Sequence, residues 1–245
     1  MRAILSEVRG ARGGGTPAVI VVAGAPALVP LLAHELRAGG DAAAVREGRP
    51  EEVAGCAALV WIGEPNLEAL RDATRHRVPI VALTEAERVP DVFDTDLVRV
   101  GSGQGFPVRE IVAVLARRLG DGGPALVARL PVLRDAVVDE LIRSAARRNA
   151  LLAAGVIGRG ASMKVLVLTQ IRLFVRIARA RGRESEAVRA VGALGVLGAG
   201  YGFRALARGG IARSPSADRA VRSGVAFAGT AAVGAVARRI LASDS

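Results

Sequence analysis

Three short aliphatic runs constrain this chain more than anything else in it: Ala18–Ala23 (AVIVVA), Ala57–Ile62 (AALVWI) and Val78–Leu83 (VPIVAL). Each is continuous rather than alternating. A strand that is apolar on both sides has to be buried on both sides, as in a parallel sheet with helices over its two faces. Helical stretches separate the runs. Leu28–Arg37 ends at Gly39-Gly40, Leu67–Arg75 has Asn66 as its cap, and Val108–Leu119 opens on Pro107. Leu97–Val100 is a further strand, and Ala42–Val45 a weak strand candidate. Strands alternating with helices imply βαβ units. The expected fold class is α/β plus all-α: an N-terminal doubly wound parallel sheet in the order 2-1-3-4-5, covered on both faces, followed by a Gly-rich helical domain.

Strand patterning stops at Gly120–Pro124 (GDGGP), a linker signal. The expected division is 17–120 for the α/β domain, 121–130 for the linker and 131–242 for the helical domain. Within the last, Val132–Ala154 reads as a helix and Gly158–Ser162 as a break. Gly182 reads as a bend before a helix over Ala187–Ala207, Ser214-Pro215-Ser216 as a turn, and Asp218–Leu241 as the final helix. Gly198 and Gly202 form a GxxxG pair, which permits close helix approach and offers a face for self-association. The longest uncharged runs are Ala190–Phe203, of 14 residues, and Ser223–Ala237, of 15. At about 1.5 Å per residue both fall short of a bilayer's hydrocarbon thickness of about 30 Å.

The helix between the Gly158 break and Gly182 is the most patterned. At about 100° per residue, Arg172, Arg176, Arg179 and Arg183 fall within about 60° of one another and make one basic stripe. Leu166, Val167, Ile171, Leu173, Phe174, Val175, Ile177 and Ala178 fill the rest of the cylinder. Gln170 lies opposite the stripe among apolar residues, so its carboxamide is expected to be a buried structural anchor, bonded across a helix contact.

Charge divides the chain in the same place. Residues 1–122 hold 14 Arg and 16 acids, whereas residues 123–245 hold 19 Arg, one Lys and 7 acids, a net +13. A bias toward Arg-rich coding explains the choice of Arg over Lys but not the scarcity of acids in one half. The basic half calls for an anionic partner: a membrane surface or an acidic protein, and less readily a nucleic acid, because stacking aromatics are few. Cys56 is the only cysteine, so no intrachain disulfide forms, which suits a reducing compartment. The first residues, MRAILSEVRGARGGGTP, form a basic arm with no apolar run of signal-peptide length. A cytoplasmic protein that is not secreted is the expectation, with membrane association, at the surface or through the C-terminal helices, left open.

Chemistry is hard to place. A phosphate loop needs glycines for the cradle, a Lys for charge and a hydroxyl for Mg²⁺. After the first strand the chain reads GAPALVPLL. Gly24 is in place, but Val29 stands at the second glycine, Pro30 at the Lys and Leu31 at the hydroxyl. Asp91, Asp94 and Asp96 (DVFDTD) lack the further ligands of a Ca²⁺ loop and read as a solvated loop. Ser102 has no partner for a catalytic triad. Neither His34 nor His76 belongs to a Cys/His cluster. No cofactor and no metal are expected.

Two resemblances add to this. The succession AVIVVAG, AALVWIGEP, VPIVALTEAE and VRVGSGQG…REIVAVLARRL resembles the Era-type GTPase domain over residues 18–119. Thr84-Glu85-Ala86-Glu87 stands where that family reads guanine with N/TKxD, so Thr84 fits while Glu85 and Glu87 replace Lys and Asp. The loop Gly101–Gly105 resembles the family's SAxxG loop. No DxxG motif and little of the switch segment are present. The C-terminal part, with RRNALLAAG, LVLTQIRLFVRIARARG, GALGVLGAGYGFRALAR and VAFAGTAAVGAVARR, resembles the YcjF-type domain of unknown function from Leu130 to Leu241. GRGASM stands for that family's iPGADM turn, and Arg181-Gly182 for its Tyr-Gly. That domain is often appended to Era-type GTPase domains, is often membrane-associated, and has no established catalytic residues. Together the resemblances imply a non-enzymatic, pseudo-GTPase protein with a basic helical interaction domain. A nucleotide-responsive GTP-binding regulator with a non-standard phosphate loop is the first alternative, and a nucleic-acid-binding protein the second.

Overall fold

The computed structural model describes residues 18–49, 52–101, 103, 105–120, 123–154, 162–182 and 215–240. Five parallel strands form the sheet: β1 (Ile20–Gly24), β2 (Val45–Glu47), β3 (Ala58–Ile62), β4 (Ile80–Thr84) and β5 (Leu97–Arg99). Their order is β2-β1-β3-β4-β5, as expected from the strand and helix alternation. The register pairs Ile20 with Val45 on one side and with Ala58 on the other, then Leu59 with Ile80 and Ala82 with Leu97. The weak candidate at Ala42–Val45 is a 3-10 turn over Ala42–Ala44, and the strand begins only at Val45. Asp41 sets that turn by accepting from the Ala43 N–H at 2.8 Å.

Successive side chains of a strand point to opposite faces, and the two faces are covered unequally. Ile20, Val22, Val60, Ile62, Val81 and Leu83 pack under α1 (Val29–Arg37) and α3 (Val108–Leu119). Val21, Ala23, Leu59, Trp61 and Ala82 pack under α2 (Leu67–Arg75) alone, helped by Val53 and Val89 from the β2–β3 and β4–β5 connections. Among the described residues those two connections contain no α-helix; Val53 and Val89, with the partly buried Cys56, Ala86 and Val92, cover the sheet where other doubly wound folds have helices. The chain changes face when it changes direction along the sheet, as crossovers of one hand require.

The helical layer lies beyond α1 and α3. It comprises α4 (Gly123–Val127), α5 (Arg134–Ala154), α6 (Ser162–Ala180) and α7 (Pro215–Ile240). The segment 121–130, read from GDGGP as a linker, carries α4 and buries Leu126, Val127 and Leu130 completely. Their apolar spacing outweighs the turn signal of the glycines before them, and Pro124 sits in the helix's first turn, where a missing N–H costs nothing. One core therefore runs from Ile20 through Leu126 and Leu130 to Val138, Phe174 and Ile177. Pro215 and Ser216, read as part of a turn, begin α7. The expected helix Ala187–Ala207, the GxxxG pair Gly198/Gly202, Arg183, the basic arm and most of the Gly158–Ser162 break lie outside the described residues.

Arg129 holds the layers together. Its guanidinium donates to the Ala18 carbonyl at 2.7 Å and to the Asp41 carboxylate at 2.9 Å, and its own carbonyl accepts from the Asp41 N–H at 2.8 Å. Gly40 lies so close that a Cβ there would be 2.6 Å from the Arg129 oxygen. The Ala43 N–H, and then the Arg129 guanidinium, hold the Asp41 carboxyl below the usual carboxylate range. Such a group stabilises the fold above its unfolded pKa, and that contribution disappears as pH falls through the folded value.

Between the helices, Asn149 of α5 is fully buried. Its amide donates to the Thr230 hydroxyl of α7 at 2.8 Å and its oxygen accepts from the Thr169 hydroxyl of α6 at 2.8 Å. Gln170, expected to be the buried carboxamide, is only half-buried. The sequence period was right for α6, but the polar anchor uses the residue before it and the amide of another helix.

Two outcomes follow. Asn149→Ala leaves the two hydroxyls without their shared partner, and we expect a loss of about 2 kcal/mol, read as a lower urea midpoint at unchanged m-value. Asp41→Asn lowers the melting temperature near neutral pH, and its deficit relative to the parent narrows as pH falls below the ordinary carboxylate value of 3.8.

Candidate functional site

In an open α/β sheet the natural ligand crevice lies outside the carboxyl ends of the strands where their order reverses. Here that point is between β1 and β3. Gly24 ends β1 at φ +125°, a conformation that favours glycine. Any Cβ there would lie 2.0 Å from the Ile62 carbonyl oxygen. The Ala25 N–H donates to that oxygen at 2.8 Å, so the β1–β3 ladder continues past the end of the strands. Opposite it, Gly63 at φ +100° meets Ala25, and its N–H donates to the Leu83 carbonyl at 2.9 Å.

Most of the donors that would cradle a phosphate are therefore absent or already committed. Of residues 25–30, Pro26 and Pro30 have no N–H. Those of Ala25, Leu28 and Val29 bond the carbonyls of Ile62, Ala25 and Ala25. The turn passes directly into α1, whose first residue is Val29. Val29 is buried, whereas Pro30 and Leu31 are exposed. Leu28 supplies no side-chain cap. An anion at this helix end would find neither a lysine nor a free nest of amides.

The other candidate positions stand apart from this point. Thr84, at the end of β4, is buried, and its hydroxyl accepts from the Ala86 N–H at 3.2 Å. It caps its own loop. Glu87 lies in a shallow groove of about 310 Å³ with Arg88, Asp94, Leu97 and Arg99. The three aspartates of DVFDTD do not converge. Asp91 pairs with Arg71 at 3.2 Å, and Asp94 is exposed. Asp96, read as part of a solvated loop, is buried and held by both arms of the Arg118 guanidinium, which also lies 5.0 Å from the Phe93 ring. The distant Arg118 of α3 overrides the local polarity that marked this loop as solvated. Among the described residues no group of three or more His, Cys, Asp or Glu could hold a metal. Burial pushes the Cys56 thiol up, away from the reactive thiolate.

The arginine stripe divides. Arg172 is exposed, Arg176 and Arg179 are half-buried, and Arg176 reaches the Gly120 carbonyl at 3.4 Å. Part of the stripe thus faces the junction with the end of α3, whose last carbonyls attract cations. Neighbouring Arg181 meets Asp135 of α5 at 3.5 Å. Sequence reasoning missed Asn149, Thr169 and Thr230. The one usable signal was Thr230, a lone hydroxyl within the uncharged run of the last helix.

No protein-family model, no curated protein and no solved structure matches this chain. Among the described residues, no helix is long and apolar enough to cross a membrane.

Gly24→Ala tests the closed seam between β1 and β3. The methyl group would collide with backbone rather than a movable side chain, in a region of φ that alanine avoids. We expect a loss of about 3 kcal/mol or more, measured by denaturant unfolding.

Proposed function

We propose that this is a non-enzymatic binding protein of the cytoplasm, in which a pseudo-GTPase α/β unit of Era type carries a basic, Gly-rich helical unit of YcjF type to an anionic surface. The observation that carries the reading is the sealed switch point. The Ala25 N–H is spent on Ile62, two of the next five residues are prolines, and the Gly24 backbone lies directly against the Ile62 carbonyl. The second glycine, lysine and hydroxyl positions held by Val29, Pro30 and Leu31 support the same conclusion from chemistry. The anionic partner is supported by the +13 of residues 123–245.

Two measurements test it. Calorimetry with GTP, GDP and ATP at millimolar concentration should give no saturable heat; a saturable isotherm with any of them favours the nucleotide-responsive alternative. Sedimentation at low salt should carry the protein down with phosphatidylserine-containing vesicles and not with neutral ones, and the association should weaken as salt rises.

A further inference from the structure

We infer that the carboxyl-terminal end of α5 is the surface that meets a lipid bilayer, with Leu151 as an apolar wedge and Arg143, Arg147 and Arg148 as headgroup contacts. This rests on the anionic-surface reading above and gives it a place and an orientation.

The two ends of α5 differ in charge. In its first two turns the acids are matched: Asp135 with Arg181, Asp139 with Arg238 at 2.6 Å, and Glu140 with Arg143 at 3.4 Å. Past Glu140 there is no Asp or Glu until residue 184, so the rest of α5 and all of α6 carry only basic charge. Arg143, Arg147 and Leu151 recur every fourth residue and share one face, with Arg148 beside them. All four are exposed, and Leu151 is 73% accessible.

A second apolar side chain lies at the same end. α5 and α7 run antiparallel, because Asp139 meets Arg238, Ile142 meets Gly234 and Asn149 meets Thr230. Extending that register brings Phe227 level with Leu151, and Phe227 is 43% accessible. Between residues 224 and 237, α7 has no charged residue.

Exposed large apolar groups beside Arg147 and Arg148, which have no acid within their own helix turns, match one chemistry best. A nucleic-acid backbone would answer the arginines but leave Leu151 in water. An anionic bilayer answers both, because its headgroups attract guanidinium groups and its acyl boundary takes up short apolar side chains.

The test uses the full chain with phosphatidylcholine vesicles, with and without phosphatidylserine. The double variant Arg147→Glu/Arg148→Glu should lower partitioning onto anionic vesicles by about tenfold or more. Leu151→Ala should lower it about fivefold or more. In Leu151→Trp, the introduced indole should be quenched by brominated acyl chains only when phosphatidylserine is present; Trp61, buried in the sheet, provides a constant background. These side chains are exposed, so unchanged circular dichroism and melting temperature should confirm that the variants fold. If all variants bind as the parent does and the indole escapes quenching, this surface is wrong while the anionic-surface reading stands. No binding of the parent to anionic vesicles at low salt overturns this surface and leaves an acidic protein as the anionic partner.

Discussion

The docking of residues 123–133 onto the sheet domain is the contact on which the rest of the molecule depends. Leu126, Val127, Leu130 and Leu133 are fully buried between the α1/α3 layer and the helices that follow. At roughly 2 kcal/mol for each large aliphatic side chain withdrawn from water, this short segment contributes on the scale of a whole domain's net stability. The Arg129 fork fixes its orientation by tying it to Ala18, just before β1, and to Asp41 at the α1–β2 corner. Apolar burial supplies most of the free energy, and the hydrogen bonds select a single arrangement.

Polar groups inside the molecule follow the same division of labour. Asp96, Asn149 and Thr230 are buried and partnered, Asp96 by the half-buried Arg118 and Asn149 by Thr230 and the half-buried Thr169. A buried ion pair offers little net stabilisation over an apolar pair of the same shape, but losing one partner strands a charge. These contacts determine which packing is adopted more than how strongly it is held. The Asp96 pair sets the turn before β5 against the end of α3, and the Asn149 bridge sets the levels of three helices.

How much of this was legible in the chain depended on the range of the interaction concerned. Continuous runs such as AVIVVA and AALVWI declare a parallel sheet because both faces of each strand must be buried, and the strand order came out as expected. Asn66 announced the start of α2 because capping is a local event, and its side chain accepts from the Glu68 and Ala69 N–H groups. The linker reading failed because GDGGP is a local signal, whereas the burial of Leu126 and Leu130 depends on helices far along the chain. Asp96 failed for the same reason, since its partner lies 22 residues away. At the switch point, the mismatches at Val29, Pro30 and Leu31 were visible at once. The Ala25–Ile62 bond that seals it was not, because it requires knowing which strands are neighbours.

The single core has a mechanical consequence. In proteins assembled from separately packed bodies, a linker acts as a hinge and the bodies reorient when one of them is captured. Here the stretch that would hinge is interior, with Leu130 completely excluded from solvent. The sheet, α1, α3 and α5 share one core, which leaves no free joint between them. Whatever surface holds the helices therefore also fixes the height and tilt at which the carboxyl edge of the sheet, with Leu31 and the groove beside Arg99, is displayed.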